Sequence, residues 1–279
     1  MATPSLLVRG TGRLIRATGD RMSGRIAGFL ESVANRVTQR PFEATVDCTI
    51  GACNFRMVAR NKKTFNRAKK TALREPDTVN WLNSIPDGAV LWDIGANVGV
   101  FTLYAAVARG AEVIAFEPSA ANYYLLNRNI ELNALDGRVR ALCLAVARHP
   151  GIDTLNMITT DFGGALSAFG TTTDSFGAEF QPAFRQGMVS FSLDDLAKSQ
   201  LPFPSHIKID VDGIEKDIVE GGPAFFRDPR LRSAIIELDP ARPDLVDAVG
   251  EMMRSYGFCS KASYGAVARR VANVVFDRP

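Results

Sequence analysis

A short apolar run that ends in an acid and continues into a glycine-bracketed turn is the feature that most constrains the fold of this chain. The run Val90–Asp93 is followed by Gly95 and Gly99, and a helical pattern of apolar residues begins at Val98. A strand, a glycine-rich turn and a helix N-terminus in this order are typical of a nucleotide cradle. Glycines there let backbone N–H groups approach a ligand that side chains would exclude. We therefore predict that this stretch binds a nucleotide-like ligand.

A second acid lies at the end of the next apolar run, where Glu117 follows Val113–Phe116. A carboxylate at such a strand tip can accept hydrogen bonds from both hydroxyls of a ribose. The glycine turn itself differs from a dinucleotide fingerprint, because Asn97 stands where the middle glycine would be. Asp93 would repel a pyrophosphate, whereas it would favour a cationic, methionine-type ligand. The alternative is that the glycines form a turn without a ligand.

Four motifs in order together carry a family resemblance. They are Trp92–Gly99, Phe116–Pro118, Phe191–Leu196 and His206–Gly222. From about Phe42 to Phe276 the chain resembles the FkbM family of methyltransferases. The resemblance implies S-adenosylmethionine as cofactor and a doubly wound, Rossmann-like α/β fold. Its sheet would have seven strands, the last of them antiparallel.

The resemblance also implies a set of site residues. The candidate catalytic residues are Asp210, Lys208, Asp212 and Glu237. The candidate cofactor-binding residues are Asp93, Gly95, Ala96, Asn97, Gly99, Glu117, Pro118, Asn122, Ala145 and Asp210. The family usually has a glutamate where this chain has Asp212, so the charge is kept but its reach is shorter.

The spacing of the polar residues on the predicted strand at 206–210 supports part of this set. His206, Lys208, Asp210 and Asp212 follow one another at a spacing of two residues, so on a strand they share one face. Glu237 and Asp239 have the same spacing at the end of a neighbouring predicted strand. We expect these acids to converge where a methyl group is transferred, with a carboxylate as general base. Two alternatives are a Lys208–carboxylate pair that only neutralises the strand tip, and a magnesium or calcium ion held by the acids.

The pattern of elements predicts three regions. Residues 1–40 form a basic helical extension, residues 41–88 a β-hairpin and a helix over Leu73–Ile85, and residues 89–279 the methyltransferase domain. Strands and helices are predicted to alternate in that domain, beginning with Val90–Asp93, Val98–Arg109, Val113–Phe116, Ala120–Leu132 and Val139–Val146. This alternation predicts a parallel sheet with ligands at the carboxyl ends of its strands. An insertion at about 151–191 breaks the alternation and predicts a meander or lid beside the acceptor.

Composition limits the function classes. A net charge of +3 is too small to indicate a nucleic-acid partner. No apolar run is long enough to span a bilayer and no secretory pattern is present, so we expect a cytoplasmic protein with free thiols. Seven arginines face only Asp20 and Glu31 in the first forty residues. That segment predicts either contact with the inner face of a membrane or packing on the domain or a partner.

The expected reaction is methylation of a hydroxyl on a sugar or glycan, a polyketide or another small molecule. The alternatives are a dehydrogenase, an N-methyltransferase of protein or nucleic acid on the same fold, and a non-catalytic scaffold that binds S-adenosylmethionine. A dehydrogenase would need the middle glycine of the dinucleotide fingerprint, which this chain lacks. Many amino methyltransferases use an Asn/Asp-Pro-Pro-Tyr/Phe motif, which is absent from this chain. Asp210–Gly213 stands near the place of that motif.

Overall fold

A computed structural model describes residues 43–173, 177–264 and 272–279. The predicted basic helix over residues 1–40 lies outside the described residues. The strands are β1 Thr45–Ile50, β2 Cys53–Val58, β3 Val90–Ile94, β4 Glu112–Phe116, β5 Val139–Leu142, β6 Ala145–Val146, β7 Gly151–Met157, β8 Ser167–Phe169, β9 Phe184–Phe191, β10 His206–Ile209, β11 Ser233–Leu238, β12 Cys259–Tyr264 and β13 Ala272–Asp277. The helices are α1 Lys62–Arg74, α2 Pro76–Ser84, α3 Val100–Ala108, α4 Ala120–Leu132, α5 Leu193–Leu196, α6 Glu215–Glu220, α7 Pro223–Arg227 and α8 Pro243–Ser255.

A hairpin and two helices precede the main sheet. Strands β1 and β2 pair around a turn at Gly51, whose φ of +57° favours glycine. Helix α1 begins at a capping box, in which Asn61 and Thr64 satisfy each other's backbone N–H groups. The predicted helix over Leu73–Ile85 is divided at Glu75, because Pro76 lacks the N–H that would continue α1 and instead starts α2.

The main sheet has seven strands in the order β12-β13-β11-β10-β3-β4-β5. The pairs from β11 to β5 are parallel, and β13 runs antiparallel to both β11 and β12. This confirms the predicted doubly wound sheet with its last strand antiparallel. The carboxyl ends of β3, β4, β10 and β11 therefore lie along one edge of the sheet.

Alternating side chains place a hydrophobic core on each face of this sheet. Leu91 and Val113 point into the core beneath the hairpin and α2. Trp92 and Ile207 point into the opposite core, which α6, α7 and α8 cover. Burial on both faces explains why the strands read as nearly continuous apolar runs. In β3, β10 and β11 the charged residues Asp93, Lys208 and Glu237 lie toward the carboxyl ends of the strands.

The region after β5 forms a second sheet with the order β6-β9-β7-β8. The predicted single strand over Val139–Val146 divides at Cys143, and its second part, β6, pairs with β9 instead of the main sheet. Strand β7 lies between β8 and β9 and is antiparallel to both. The connection from β7 to β8, residues 158–166, is called the covering loop below. No helix of the described residues is long and apolar enough to cross a membrane.

Candidate functional site

A cavity of about 210 Å³ opens at the carboxyl ends of the central strands. Most of the predicted site residues line it, which brings three of the four sequence motifs to one place; the motif Phe191–Leu196 does not line the cavity. The predicted residues that line it are Asp93, Gly95, Ala96, Asn97, Glu117, Pro118, Asn122, Lys208, Asp210, Asp212 and Glu237. The parallel arrangement of β3, β4, β10 and β11 causes this convergence, since each strand ends at the same edge of the sheet.

The glycine turn between β3 and α3 forms the floor of the cavity. Gly95 has a φ of +82°, and a Cβ placed there would lie 1.9 Å from the backbone oxygen of Asp210. Glycine is therefore required because the tip of β10 packs directly against the turn. Gly99 has a φ of +88° at the start of α3, where a Cβ would lie 2.5 Å from Leu126. Gly99 shapes the turn from beneath and does not line the cavity.

The backbone N–H groups of this turn bond within the protein, which differs from the expected approach to a ligand. Those of Gly95 and Ala96 both donate to the Phe116 carbonyl, at 2.9 and 3.1 Å. The N–H of Asn97 donates to Glu117 Oε2 at 2.8 Å. The N–H groups of Val98 and Gly99 donate to Asn97 Oδ1 and the Ala96 carbonyl. The turn therefore does not present these N–H groups to an anion.

Glu117 is buried at the tip of β4 and is held by the turns on either side. Its Oε1 accepts from the Ser119 N–H at 2.9 Å and from Asn122 Nδ2 at 3.5 Å. Burial raises the pKa of Glu117 to about 7, although the hydrogen bonds from Ser119 and Asn97 oppose this. The carboxyl is thus fixed in direction and borders the cavity, where it can accept further hydrogen bonds.

Lys208 is a buried cation between two acids. Its Nζ lies 2.6 Å from Asp210 Oδ2 and 3.8 Å from Asp93 Oδ1, and 5.5 Å from the centre of the Phe101 ring. Burial alone would lower the pKa of Lys208, but the carboxylates of Asp210 and Asp93 raise it above its usual value. Burial raises the pKa of Asp93, whose Oδ2 accepts from Thr102 Oγ1 at 2.5 Å.

Asp210 and Glu237 form a hydrogen-bonded carboxyl pair across the ends of β10 and β11. Burial acts to raise the pKa of Asp210. The charge of Lys208 opposes this, as do the hydrogen bonds that Asp210 forms with Lys208 and with Glu237, and the pKa of Asp210 is therefore below its usual value. Burial, with the charges of Asp210 and Glu75, raises the pKa of Glu237 to about 9. Near neutral pH the pair therefore holds one proton, on Glu237, and Asp210 is the carboxylate.

Asp212 binds the covering loop. Its Oδ2 accepts from the N–H groups of Leu166 and Ser167, at 2.5 and 3.0 Å. Burial raises the pKa of Asp212 to about 6, and the charge of Asp210 adds to this while the two backbone donors oppose it. Asp212 therefore holds this loop and also lines the cavity, and its catalytic role stays a prediction.

Two amides on the opposite side of the cavity hold the same loop. The Nδ2 atoms of Asn97 and Asn122 both donate to the Gly164 carbonyl, at 2.8 and 3.0 Å. Asn122 Oδ1 accepts from the Gly163 N–H at 2.8 Å. The covering loop is thus fixed across the cavity by residues that the sequence assigned to the cofactor, and Gly164 and Ser167 become part of the cavity wall.

Three predicted residues lie elsewhere. Ala145 lines a smaller recess of about 40 Å³, which shares Pro118 with the main cavity. His206 lies at the start of β10, where its Nδ1 is 2.9 Å from Ser205 Oγ, and does not line the cavity. Asp239 accepts from the Ala241 N–H at 2.8 Å in the turn after β11 and is also absent from the lining.

The sequence did not predict that α1 and the residue after it form part of the cavity wall. Arg67, Thr71 and Glu75 line the cavity opposite the tips of β10 and β11. Arg67 lies near enough to lower the pKa values of Asp210 and Asp212 by its charge. The helical spacing of these three residues was available in the sequence. No family motif covers them, and their packing onto the site depends on the tertiary fold.

Neither a metal cluster nor a disulfide occurs in the described part of the chain. No group of three or more His, Cys, Asp or Glu side chains there is arranged to hold a metal ion. The cysteines Cys48, Cys53, Cys143 and Cys259 are free. Cys48 is buried, with its Sγ donating to the Ala68 carbonyl at 2.9 Å.

The model of the methyltransferase FkbM domain matches residues 93–259, more than half of the chain. The chain therefore belongs to the FkbM methyltransferase family, as its motifs indicated. It is also 27% identical over 206 residues to the AMB antimetabolite synthetase AmbE of Pseudomonas aeruginosa, covering 62% of this chain and 10% of AmbE. The chain thus spans about a tenth of that curated relative.

Two solved structures of methyltransferases are similar to this chain. A methyltransferase FkbM from Methylobacillus flagellatus KT has 14% identity and a TM-score of 0.49, over 69% of this chain and 44% of that one. TYW2 of M. jannaschii in complex with AdoMet has 14% identity and a TM-score of 0.44, over 86% and 89% of the two chains. The Rossmann-like character of the fold follows from its own seven-stranded sheet, which is mostly parallel with an antiparallel last strand.

Proposed function

We propose that this protein is an S-adenosylmethionine-dependent methyltransferase that methylates a hydroxyl of a sugar, glycan, polyketide or other small-molecule acceptor. One observation carries the choice of ligand. The N–H groups of the glycine turn are bonded within the protein, and the cavity beside them is lined by six carboxyl groups and only two basic side chains, Arg67 and Lys208. Such a site favours a cationic ligand and opposes the pyrophosphate of a dinucleotide.

The residues of the cavity fit the cofactor at both of its ends. Oδ1 of Asp93 is buried without a hydrogen-bond partner among the described residues, and a cationic donor would satisfy it. Glu117 borders the cavity where ribose hydroxyls would require an acceptor. The adjoining recess is lined mainly by apolar side chains, including Ala145, Leu155 and Ile214, and suits a flat base.

When bound, S-adenosylmethionine supplies a methyl group on a sulfonium that is already activated for displacement. The task of the protein is then to align the acceptor oxygen with that methyl group and to exclude water. Asp210 remains anionic beside Lys208 and can accept a hydrogen bond from the acceptor hydroxyl. The hydroxyl proton becomes far more acidic as the oxygen forms its bond to carbon, so a carboxylate of lowered pKa can still take it.

Lys208 and Glu237 position Asp210 in this proposal. Lys208 fixes one oxygen of the Asp210 carboxylate at 2.6 Å. Glu237, protonated near neutral pH, donates a hydrogen bond to the same carboxylate. The arrangement keeps the charge on Asp210 and aims its remaining lone pairs at the cavity. A hydroxyl acceptor, which can donate to Asp210, fits this arrangement.

Calorimetric titration with S-adenosylmethionine and with NAD⁺ tests the cofactor. We expect binding of the first and none of the second, with the affinity for S-adenosylmethionine reduced at least tenfold in Glu117→Ala. Ser84→Ala is a matched control, because its hydroxyl bonds only to the Trp81 carbonyl in α2. Binding of NAD⁺ in preference to S-adenosylmethionine would overturn the assignment.

A screen of acceptors tests the reaction. Release of S-adenosylhomocysteine with sugars, glycans or polyketides, and mass analysis of a product that carries an O-methyl group, would support O-methylation. Turnover with a protein or nucleic acid and an N-methyl product would support the alternative. Tight cofactor binding with no turnover on any acceptor class would favour the non-catalytic scaffold.

A further inference from the structure

Helix α1 combines an unusual charge with an unusual exposed surface. Its thirteen residues contain six basic side chains and no acid. The basic residues are Lys62, Lys63, Arg67, Lys69, Lys70 and Arg74. Thr64, Ala68 and Thr71 form the buried side of the helix. The remaining arc, which carries most of this charge, faces outward.

Two large apolar side chains lie within this exposed arc. Phe65 is 46% exposed and Leu73 is 81% exposed. At 100° per residue the two are about 80° apart around the helix axis, with Lys62 and Lys69 between them. Single exposed apolar residues are common on protein surfaces. Here two of them lie on either side of Lys62 and Lys69, so one surface of the helix offers both apolar side chains and cations, the two kinds of group that bind the interface of an anionic bilayer.

We infer that the exposed arc of α1 docks on the surface of a lipid bilayer that contains anionic headgroups. The lysines supply the attraction to anionic lipid, and Phe65 and Leu73 can enter the boundary between headgroups and acyl chains. A soluble polyanion would use the charge but would leave Leu73 in water. The apolar pair is therefore what favours a bilayer over a polymer.

Local contacts leave this arc available. Lys63 pairs with Asp161 of the covering loop at 2.9 Å, yet its side chain is still 48% exposed. Lys69 donates to the backbone carbonyl of Asp47 at 2.5 Å, so this contact does not neutralise its charge. The interaction surface is thus formed by described residues of α1.

The position of α1 connects this surface to the cavity. Arg67 and Thr71 line the cavity, and they lie on the flank of α1 next to its exposed arc. Docking through that arc would hold the cavity beside the bilayer. The inference concerns where the protein binds, and it holds whatever reaction the cavity performs.

Sedimentation of the full-length protein with lipid vesicles tests the inference. We expect binding to phosphatidylcholine vesicles that contain phosphatidylglycerol, weaker binding as salt is raised, and little binding to phosphatidylcholine alone. The double substitution Lys62→Glu/Lys70→Glu should lower the partition coefficient about tenfold or more. Leu73→Ala should lower it about threefold, because a smaller apolar group enters the lipid.

Matched substitutions elsewhere on the surface serve as controls. Lys198→Glu/Arg185→Glu reverses the same number of exposed charges, and Ile152→Ala truncates a side chain that is 88% exposed on β7. Both controls should bind vesicles as the wild type does. Wild-type binding by the α1 variants, or binding to heparin with no binding to vesicles, would overturn the inference. Because the assay needs neither cofactor nor turnover, its failure would leave the proposed methyl transfer standing.

Discussion

The buried pair of Lys208 and Asp210 allows the catalytic and the structural interpretation of Asp210 to be separated by experiment. The Nζ–Oδ2 distance is 2.6 Å, the Lys208 side chain is 4% exposed and that of Asp210 is 29% exposed. Three variants form a double-mutant cycle: Lys208→Met, Asp210→Asn and the two combined. Lys208→Met leaves Asp210 and Asp93 without their cation, and Asp210→Asn leaves Lys208 with the more distant Asp93 alone. The combination removes both charges of the 2.6 Å pair.

The expected magnitudes follow from the burial of the two partners. Removing one partner of a buried ion pair costs about 3–5 kcal/mol, because the other charge is left desolvated. Since Asp210 is partly exposed to the cavity, we expect about 3 kcal/mol for Lys208→Met. The combined variant should regain about 2 kcal/mol of that loss. The surface pair of Lys216 and Glu220 is a control, and Lys216→Met should change the free energy of unfolding by less than about 1 kcal/mol.

Urea unfolding at constant pH measures the free energies, and release of S-adenosylhomocysteine measures turnover. If Asp210 orients the acceptor, Asp210→Asn should lower kcat by roughly two to four orders of magnitude. The combined variant should then stay inactive although its stability recovers. Recovery of turnover together with stability would refute the catalytic role and leave a neutralising pair. Additive losses of stability would refute the electrostatic reasoning itself.

Three further predictions concern other residues of the site. Because burial raises the pKa of Glu117 from 4.5 to about 7, its contribution to stability is complete below pH 4.5 and is lost as the pH rises through 7. Between pH 4.5 and 8 the wild-type free energy of unfolding should therefore fall by about 3 kcal/mol relative to Glu117→Gln, measured by urea unfolding. Gly95→Ala should fail to fold by circular dichroism, since its Cβ would meet the Asp210 carbonyl, whereas Gly187→Ala, with open space around it, should fold. Asp212→Asn should speed proteolysis of the covering loop by about tenfold with little change in global stability, and an unchanged cleavage rate would contradict its loop-binding role.

The sequence predicted the parts of the fold that depend on local patterns. Apolar runs that end in acids located β3, β4 and β10, and the helix over Ala120–Leu132 has the predicted bounds. Strand β12, Cys259–Tyr264, was not predicted, because its residues lack the apolar run that marks a strand buried on both faces. The division of Val139–Val146 into two strands was also missed. It depends on pairing with β9, which local propensity does not encode.

Helix α1 shows a different limit of sequence reasoning. Its capping residues Asn61 and Thr64 and its basic composition are visible in the sequence, but its apolar content is too low to mark a helix by periodicity. Its role in the site follows from packing against the hairpin, which brings Arg67 and Glu75 across from the tips of β10 and β11. Contacts between elements that are distant in the chain determine the position of α1, so no sequence motif indicates it.

The covering loop explains why motif residues need not have the role that the motif suggests. Asn97, Asn122 and Asp212 were assigned to cofactor or catalysis, and all three use their side chains to hold the backbone of residues 163–167. Substituting any of them would disturb cofactor binding through the loop, so a loss of affinity at these positions would not identify a direct contact. Glu117 has an intermediate position, because it accepts hydrogen bonds from the Asn97 N–H and from Asn122 Nδ2, and these two residues hold the loop. The carboxylate of Asp210 bonds to Lys208 and borders the cavity, and no hydrogen bond in the described structure joins it to the loop. Mutational effects on affinity and turnover can therefore be interpreted most directly at Asp210.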